Sequence, residues 1–490
     1  MTDFAPVVLP RLIQGGMGVS VSNWRLARAV SSLGQLGVVS GTALDQVLVR
    51  RLQDGDLSGD ARKALAAFPM PDVAARIVEK FHMPGGKAPT ASYPTLPMHG
   101  LPLSQEAQEL LVASNFVEVW LARQGHDNPV GINYLEKLQL PHLPSMYGAL
   151  LAGVSYVLMG AGIPLKIPGA LDRLARHEDA EYPLAVTGAQ PDDDFVVRFS
   201  PRDVVPLDLP PLMRPAFLAI VASGTLATTM VKRANGRVDG FVVEGPTAGG
   251  HNAPPRGKLQ VDDEGQPVYG ERDVVDLSVL RGLGRPFWLA GGYGTPDRVR
   301  EAIAEGAAGV QVGTAFAYCT DSGMRDDQRS AIAEQVRTGR VRVVTDALAS
   351  PTGFPFKVVQ IETSVSNAEV YAARPRICDL GYLREAYREA DGTLAFRCAA
   401  EPLSTYVDKG GALADTVSRK CICNALMSSA GHSQVRARRH VEPGIVTSGD
   451  ALEELTQFMT ADSSAYSAAD VVRTLLAGVA SDSGHGRDAQ

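Results

Sequence analysis

The stretch Pro286–Thr314, PFWLAGGYGTPDRVREAIAEGAAGVQVGT, holds a whole strand–helix–strand unit. Pro286–Ala290 is a short apolar run ending in the glycine-rich turn Gly291-Gly292-Tyr293-Gly294. A helix is predicted over Pro296–Glu305, because proline suits a first helical turn, where its missing N–H would have no partner. Gly309–Val312 then reads as a second buried strand, closing on Gly313-Thr314. Alternation of this kind builds a parallel sheet covered by helices.

Working outward, the same rhythm runs through the first 320 residues. Six further strands are predicted at Arg11–Gln14, Gly37–Ser40, Val130–Tyr134, Ser155–Met159, Ala216–Val221 and Gly240–Val243. Helical patterns at Trp24–Leu33, Gly224–Ala234 and Val274–Leu283 separate several of them. Eight strands with crossover helices close most naturally into a (β/α)8 TIM barrel, an α/β fold; a doubly wound open sheet is the alternative. The barrel is expected over 1–41 and 129–345. A helical insertion after the second strand is expected over 42–128, with helices at Ala43–Asp54, Gly59–Ala67, Asp72–Phe81 and Ser104–Arg123. Glu178–Leu209 reads as a small hairpin excursion. Residues 346–490 form a C-terminal extension, partly helical at Leu452–Met459 and Ala468–Leu476, and a candidate lid. The final DSGHGRDAQ is polar and expected to fray.

Of the 490 residues, 45% are hydrophobic and 21% charged, the balance of an ordinary globular protein. A net charge of −7 argues against nucleic-acid or anionic-membrane partners held by charge. The start, MTDFAPVVLPRL, lacks a basic segment followed by an apolar core, so no secretory signal is expected. No apolar run approaches the roughly 20 residues that span a bilayer. A cytoplasmic enzyme follows, with a small-molecule substrate and room for a homo-oligomer.

Barrel chemistry sits at the C-terminal ends of strands. The first strand ends in Gln14-Gly15-Gly16-Met17-Gly18, where glycines admit a flat ring and Gln14 offers both a donor and an acceptor. A plain tight turn is the competing reading. Asn133 ends the third strand, able to bond a pyrimidine-like edge or to cap a helix. Lys166, near the fourth strand's end, reads as a solvated side chain. Gly291, Gly292, Gly313 and Thr314 mark the loops after the seventh and eighth strands, which in such barrels often hold a phosphate. There is no GxxxxGK[ST], so nucleotide triphosphates have no support. The sixth strand runs into EGPTAGGHNAPPRG, Glu244–Gly257. Gly250 lets the backbone approach a planar ligand, and His251 is placed as a general base near neutral pH. Asn252 and Arg256 follow as substrate-binding candidates.

In combination, IQGGMG near the N-terminus, the Asn-bearing third strand, AGGH, AGG, VGT and SPTGFPFK at Ser350–Lys357 resemble the nitronate monooxygenases, formerly 2-nitropropane dioxygenases. The resemblance covers about residues 10–360. It implies an FMN-dependent oxidoreductase, a flavoprotein whose Gln14, Gly15, Gly16, Met17 and Asn133 approach the isoalloxazine. It also implies that Gly291, Gly292, Gly313 and Thr314 hold the phosphate, and that His251 faces a nitronate or related carbon acid with O2 as oxidant. The chain departs from the commoner pattern at Thr247 and at Asn252-Ala253-Pro254-Pro255, in the loop that meets substrate. An NAD(P)H-dependent flavin enoyl-thioester reductase of fatty-acid or polyketide type shares the Gly-Gly-His and is the alternative.

Of five cysteines, Cys378, Cys398, Cys421 and Cys423 lie in the tail and Cys319 beyond the eighth strand. Cys421-Ile422-Cys423 is not CxxC and the wider gaps match no common metal pattern. Buried free thiols and no metal are the expectation.

Overall fold

The computed structural model describes residues 9–206 and 208–479. Residues 1–8 of the N-terminal stretch and the terminal DSGHGRDAQ lie outside the described residues. Eight parallel strands close into one barrel: β1 (Leu12–Gln14), β2 (Leu36–Ser40), β3 (Val130–Leu135), β4 (Tyr156–Gly160), β5 (Ala216–Val221), β6 (Gly240–Glu244), β7 (Phe287–Ala290) and β8 (Gly309–Val312). Each pairs with its neighbours in sequence, and β1 closes the ring on β8 with Gln14 opposite Val312. The open-sheet alternative is excluded.

Side chains alternate across each strand, so one set fills the barrel and the other meets the helices. Ile13, Val38, Leu158, Leu218, Val242 and Trp288 belong to a separate buried cluster, while their neighbours Leu12, Val39, Val157, Phe217, Phe241 and Leu289 join the larger core that includes the helices. The Trp288 indole N–H donates to Pro10 O at 2.7 Å, satisfying the one polar atom that this large ring brings inside.

Helices Leu44–Gln53, Asp60–Ala66, Pro71–Phe81 and Gln105–Ala122 occupy the region between β2 and β3. The last of these is the barrel's own crossover helix. It packs between helices Trp24–Ser31 and His142–Leu151, and its Asn115 accepts from the Tyr134 hydroxyl at 2.9 Å. The excursion from the barrel therefore ends before residue 105, not at 128. The hairpin expected within 178–209 is present as antiparallel strands Ala180–Pro183 and Val196–Phe199.

The tail differs most from its sequence reading. Val343–Asp346 pairs antiparallel with Phe356–Val359, so a boundary drawn between 345 and 346 cuts a strand. Glu385–Arg388 pairs with Leu394–Arg397 and, in parallel, with Val186–Thr187 of the earlier excursion. Four-residue strands made from scattered segments carry too little periodicity to be read locally. Among the described residues, no helix is long and apolar enough to cross a membrane.

Candidate functional site

A cavity of about 250 Å³ opens at the C-terminal ends of the strands. Gly15, Gly16 and Met17 line it from the β1 loop and Asn133 from the end of β3. Gly250 and His251 line it after β6, Gly291 and Gly292 after β7, and Gly313 and Thr314 after β8. All these sequence candidates are therefore brought to one space.

Backbone geometry explains two of the glycines. Gly291 has φ +86°, and a Cβ there would stand 2.9 Å from Thr247 Oγ1 and 3.0 Å from Ala248 N. The turn after β7 thus nests against the loop after β6, which only a glycine permits. Gly250 also has a positive φ, +85°, but its missing Cβ would meet nothing within 4 Å. Its bare backbone faces open space, and its N–H donates to Thr447 Oγ1 at 2.8 Å.

His251 is held from outside the barrel. Its Nε2 lies 2.7 Å from Ser350 Oγ, and its ring packs edge-on to Phe356 at 4.8 Å. The flanking backbone is pinned to the same segment: Asn252 N–H donates to Pro355 O at 2.9 Å and Lys357 N–H to Gly250 O at 3.0 Å. Burial, and then the Lys137 charge, push the imidazole down to about 4. It is neutral at neutral pH and a weaker base than its sequence setting suggested.

Three candidates stand elsewhere. Gln14 is fully buried and does not line the cavity; its amide donates to Ser22 Oγ at 2.9 Å and Val38 O at 3.2 Å and accepts Val38 N–H at 3.1 Å. It stitches β1 to β2. Asn252 is also buried away from the cavity, its amide donating to Ala248 O at 3.0 Å to close the loop. Arg256 is exposed, its backbone N–H donating to Asp273 Oδ1 at 2.8 Å and its guanidinium to Ala222 O at 3.2 Å. Pro254 and Pro255 carry the chain out to the surface before it.

Other groups complete the site. Glu244, the last residue of β6, lines the cavity, and burial alone raises its carboxyl to about 7. Gln311 of β8 lines it as well, and its buried Oε1 has no hydrogen-bond partner. Both stand inside quoted strand ends, and a polar residue in an apolar strand was the signal that could have found them. The tail's Thr447–Gly449 had no local signal, and Ser350 was marked only as the first residue of the Ser350–Lys357 stretch. The tail is a wall of the cavity, with Thr314 Oγ1 accepting Gly449 N–H at 3.1 Å.

Residues 212–347 match the family model for nitronate monooxygenase. A nitronate monooxygenase of Pseudomonas aeruginosa is 32% identical over 117 residues, covering 24% of this chain and 32% of that protein. The chain thus spans about a third of the length of this curated relative. The solved structure of FabK from Thermotoga maritima aligns over 96% of this chain and 92% of its own at 16% identity, TM-score 0.46. That of a nitroalkane oxidase from Streptomyces ansochromogenes aligns over 96% and 95% at 16% identity, TM-score 0.45. The matched segment includes β5 to β8 and the loops bearing Glu244, His251, Gly291 and Thr314. Over residues 212–347, the chain is similar to the nitronate monooxygenase family.

Proposed function

We propose that this protein is an FMN-dependent oxidoreductase that oxidises a nitronate or a related carbon acid with O2. The observation carrying this reading is that the Gly15-Gly16-Met17, Gly250-His251, Gly291-Gly292 and Gly313-Thr314 loops share one cavity, the last three of them within the segment similar to the family.

The residues present fit a flavin. Gln311 offers an orphaned buried acceptor at the cavity wall, and Gly250 a stretch of backbone with no side chain in front of it. Gly15, Gly16, Met17, Asn133 and Gln311 would hold the ring system, and Gly291, Gly292, Gly313 and Thr314 the phosphate. Bound there, FMN supplies the electron-accepting chemistry that no side chain of the chain offers.

His251 orients the substrate anion, with Ser350 Oγ fixing the ring's direction through Nε2. An anion beside the imidazole favours its charged form and raises its pKa from the depressed value, so substrate itself strengthens this base. Glu244 holds a proton at a carboxyl oxygen up to about pH 7 and keeps that side of the cavity uncharged. The tail residues Thr447–Gly449 form part of the cavity lining.

The test is direct. Purified protein is expected to carry visible flavin absorption, and His251→Asn to lose nitroalkane or propionate 3-nitronate turnover. A colourless protein that takes up no FMN removes the reading. Rapid anaerobic bleaching by NADPH, with inertness to nitronate, would establish the enoyl-thioester reductase instead.

A further inference from the structure

The glycine loops furnish only part of the cavity's lining. Leu380, Leu383, Ile422 and Leu426 of the tail line it as well, with Leu135 at the end of β3 and Leu138 just beyond. None of these side chains has a hydrogen-bonding atom, so what they suit in a ligand is hydrocarbon. A second, small space of about 10 Å³, room for about one water, adjoins the cavity. Thr42, Ala43, Tyr134, Leu135, Leu138 and Tyr382 line both spaces and form the partition between them. Of these, Tyr382 alone comes from the tail; the others follow β2 or belong to β3 and the loop after it.

From this arrangement we infer that Tyr382 is a specificity-determining residue, whose ring stops the apolar chain of a ligand from running on past the cavity toward Asp45 and His142. The inference rests on the reading of this cavity as a substrate site and adds the substrate's class, an anion with a short apolar chain.

The ring is held from behind. The Tyr382 hydroxyl donates to Asp45 Oδ1, and His99 Nε2 lies 3.1 Å from Asp45 Oδ2. The His99 ring stands edge-on to that of Tyr382, with centroids 5.5 Å apart and planes at 84°. Burial alone would raise the Asp45 carboxyl. The His99 hydrogen bond and charge, with the Tyr382 hydroxyl, outweigh it and hold the group below its ordinary range. Burial and the Asp45 charge drive the Tyr382 phenol upward instead. Its single proton is thus committed to Asp45, and the ring is what it presents to the cavity.

The turn before Tyr382 is fixed too. Gly381 has φ +72°, and a Cβ there would stand 2.5 Å from Met98 Sδ and 2.7 Å from Arg384 Nε. The Arg384 guanidinium donates to Gly381 O at 3.0 Å and also to His99 O. A protein rejects a longer ligand by a clash that it cannot relieve, and a ring tethered at both its backbone and its hydroxyl is such an obstacle. Desolvation adds to the clash. Asp45, His142 and Ser145 line the space behind, and the buried His142 Nδ1 has no hydrogen-bond partner. An alkyl chain entering there would displace the water that this nitrogen needs. Asp45 and His99 act through Tyr382 and are positioning residues.

The protein as purified is the material for the test. Straight-chain carboxylates are the probes, because a carboxylate carries the planar two-oxygen anion of a nitronate without its reactivity. Calorimetry measures binding of butyrate, hexanoate, octanoate and decanoate to wild type, Tyr382→Ala, Tyr382→Leu, Asp45→Ala and Asp45→Asn. Wild-type affinity is expected to rise about fourfold per added methylene while the chain stays within the cavity, and then to stop rising. The decanoate-to-butyrate affinity ratio is expected to increase at least tenfold in both Tyr382 variants. Asp45→Ala is expected to raise it at least threefold, and Asp45→Asn, which still accepts the phenol proton, to restore it. Should the variants fail to fold, the wild-type series decides. Affinity that climbs through decanoate without a break overturns the inference, as do unchanged ratios in both Tyr382 variants or no binding of any probe. Shifted ratios in a protein that turns over no nitronate remove the nitronate reading and leave the role of Tyr382 standing. Nitronate turnover with unchanged ratios does the reverse.

Discussion

His251 Nε2 and Ser350 Oγ stand 2.7 Å apart although 99 residues separate them in the chain. The hydroxyl also contacts Thr352 Oγ1 at 2.8 Å, so its own orientation is constrained. Ser350→Ala removes the group that orients the imidazole without altering the cavity's glycine walls. A hydrogen bond of this kind is worth about 1–1.5 kcal/mol, so kcat/KM is expected to fall roughly tenfold with flavin content unchanged. Steady-state kinetics on a nitronate, beside the absorbance ratio of flavin to protein, checks this. Activity within twofold of wild type would leave the contact without a role.

Gly291 and Gly250 offer a paired comparison. Alanine at either position meets the left-handed backbone penalty of about 1–2 kcal/mol. At Gly291 the new Cβ also crowds Thr247 Oγ1 and Ala248 N. Gly291→Ala is therefore expected to lower the denaturation midpoint more than Gly250→Ala and to lose flavin on gel filtration. Equal midpoints would show that the two loops yield at no cost.

The two titratable groups of the cavity pull stability in opposite directions. Glu244 rises from 4.5 to about 7 on folding, so its contribution is fully present below pH 4.5 and is lost as pH climbs through 7. His251 falls from 6.5 to about 4, so its contribution is present above pH 6.5 and is lost as pH drops through 4. In flavin-free protein, Glu244→Gln is expected to flatten the loss above pH 4.5, and His251→Gln the loss below pH 6.5. Urea midpoints measured from pH 4 to 9 separate the two; a variant with the wild-type profile refutes its assignment.

Arg374 and Glu442 form a buried ion pair, Nε to Oε2 at 2.7 Å, with side chains 3% and 0% exposed. Removing one partner strands a buried charge, at a cost of about 3–5 kcal/mol. Glu442→Leu is expected to lower Tm markedly, the more so because Arg436 also pairs with Glu442 at 2.7 Å. The double variant Arg374→Met/Glu442→Leu should recover part of that loss. Calorimetry on the three proteins settles the sign.

The glycine loops and the strands before them were legible because each is a local event. An apolar run of four to six residues, a glycine turn and a capped helix repeat within a window shorter than 35 residues. The misplaced candidates share a different character. Gln14 could bond a ligand or a neighbouring strand, and the residue type does not distinguish them; packing beside Val38 and Ser22 does. Arg256 was judged by its distance in sequence from His251, but two prolines redirect the chain between them.

From the sequence alone came the eight-strand barrel, the face that carries its chemistry and the loop that presents His251, since periodicity and turn residues act over short range. Tertiary structure alone decided which groups share that face with the histidine. Ser350, Thr447 and Glu244 owe their roles to long-range closure and to burial. Desolvation and contact between residues 99 or more apart in the chain depend on the packed fold, and no local pattern encodes them.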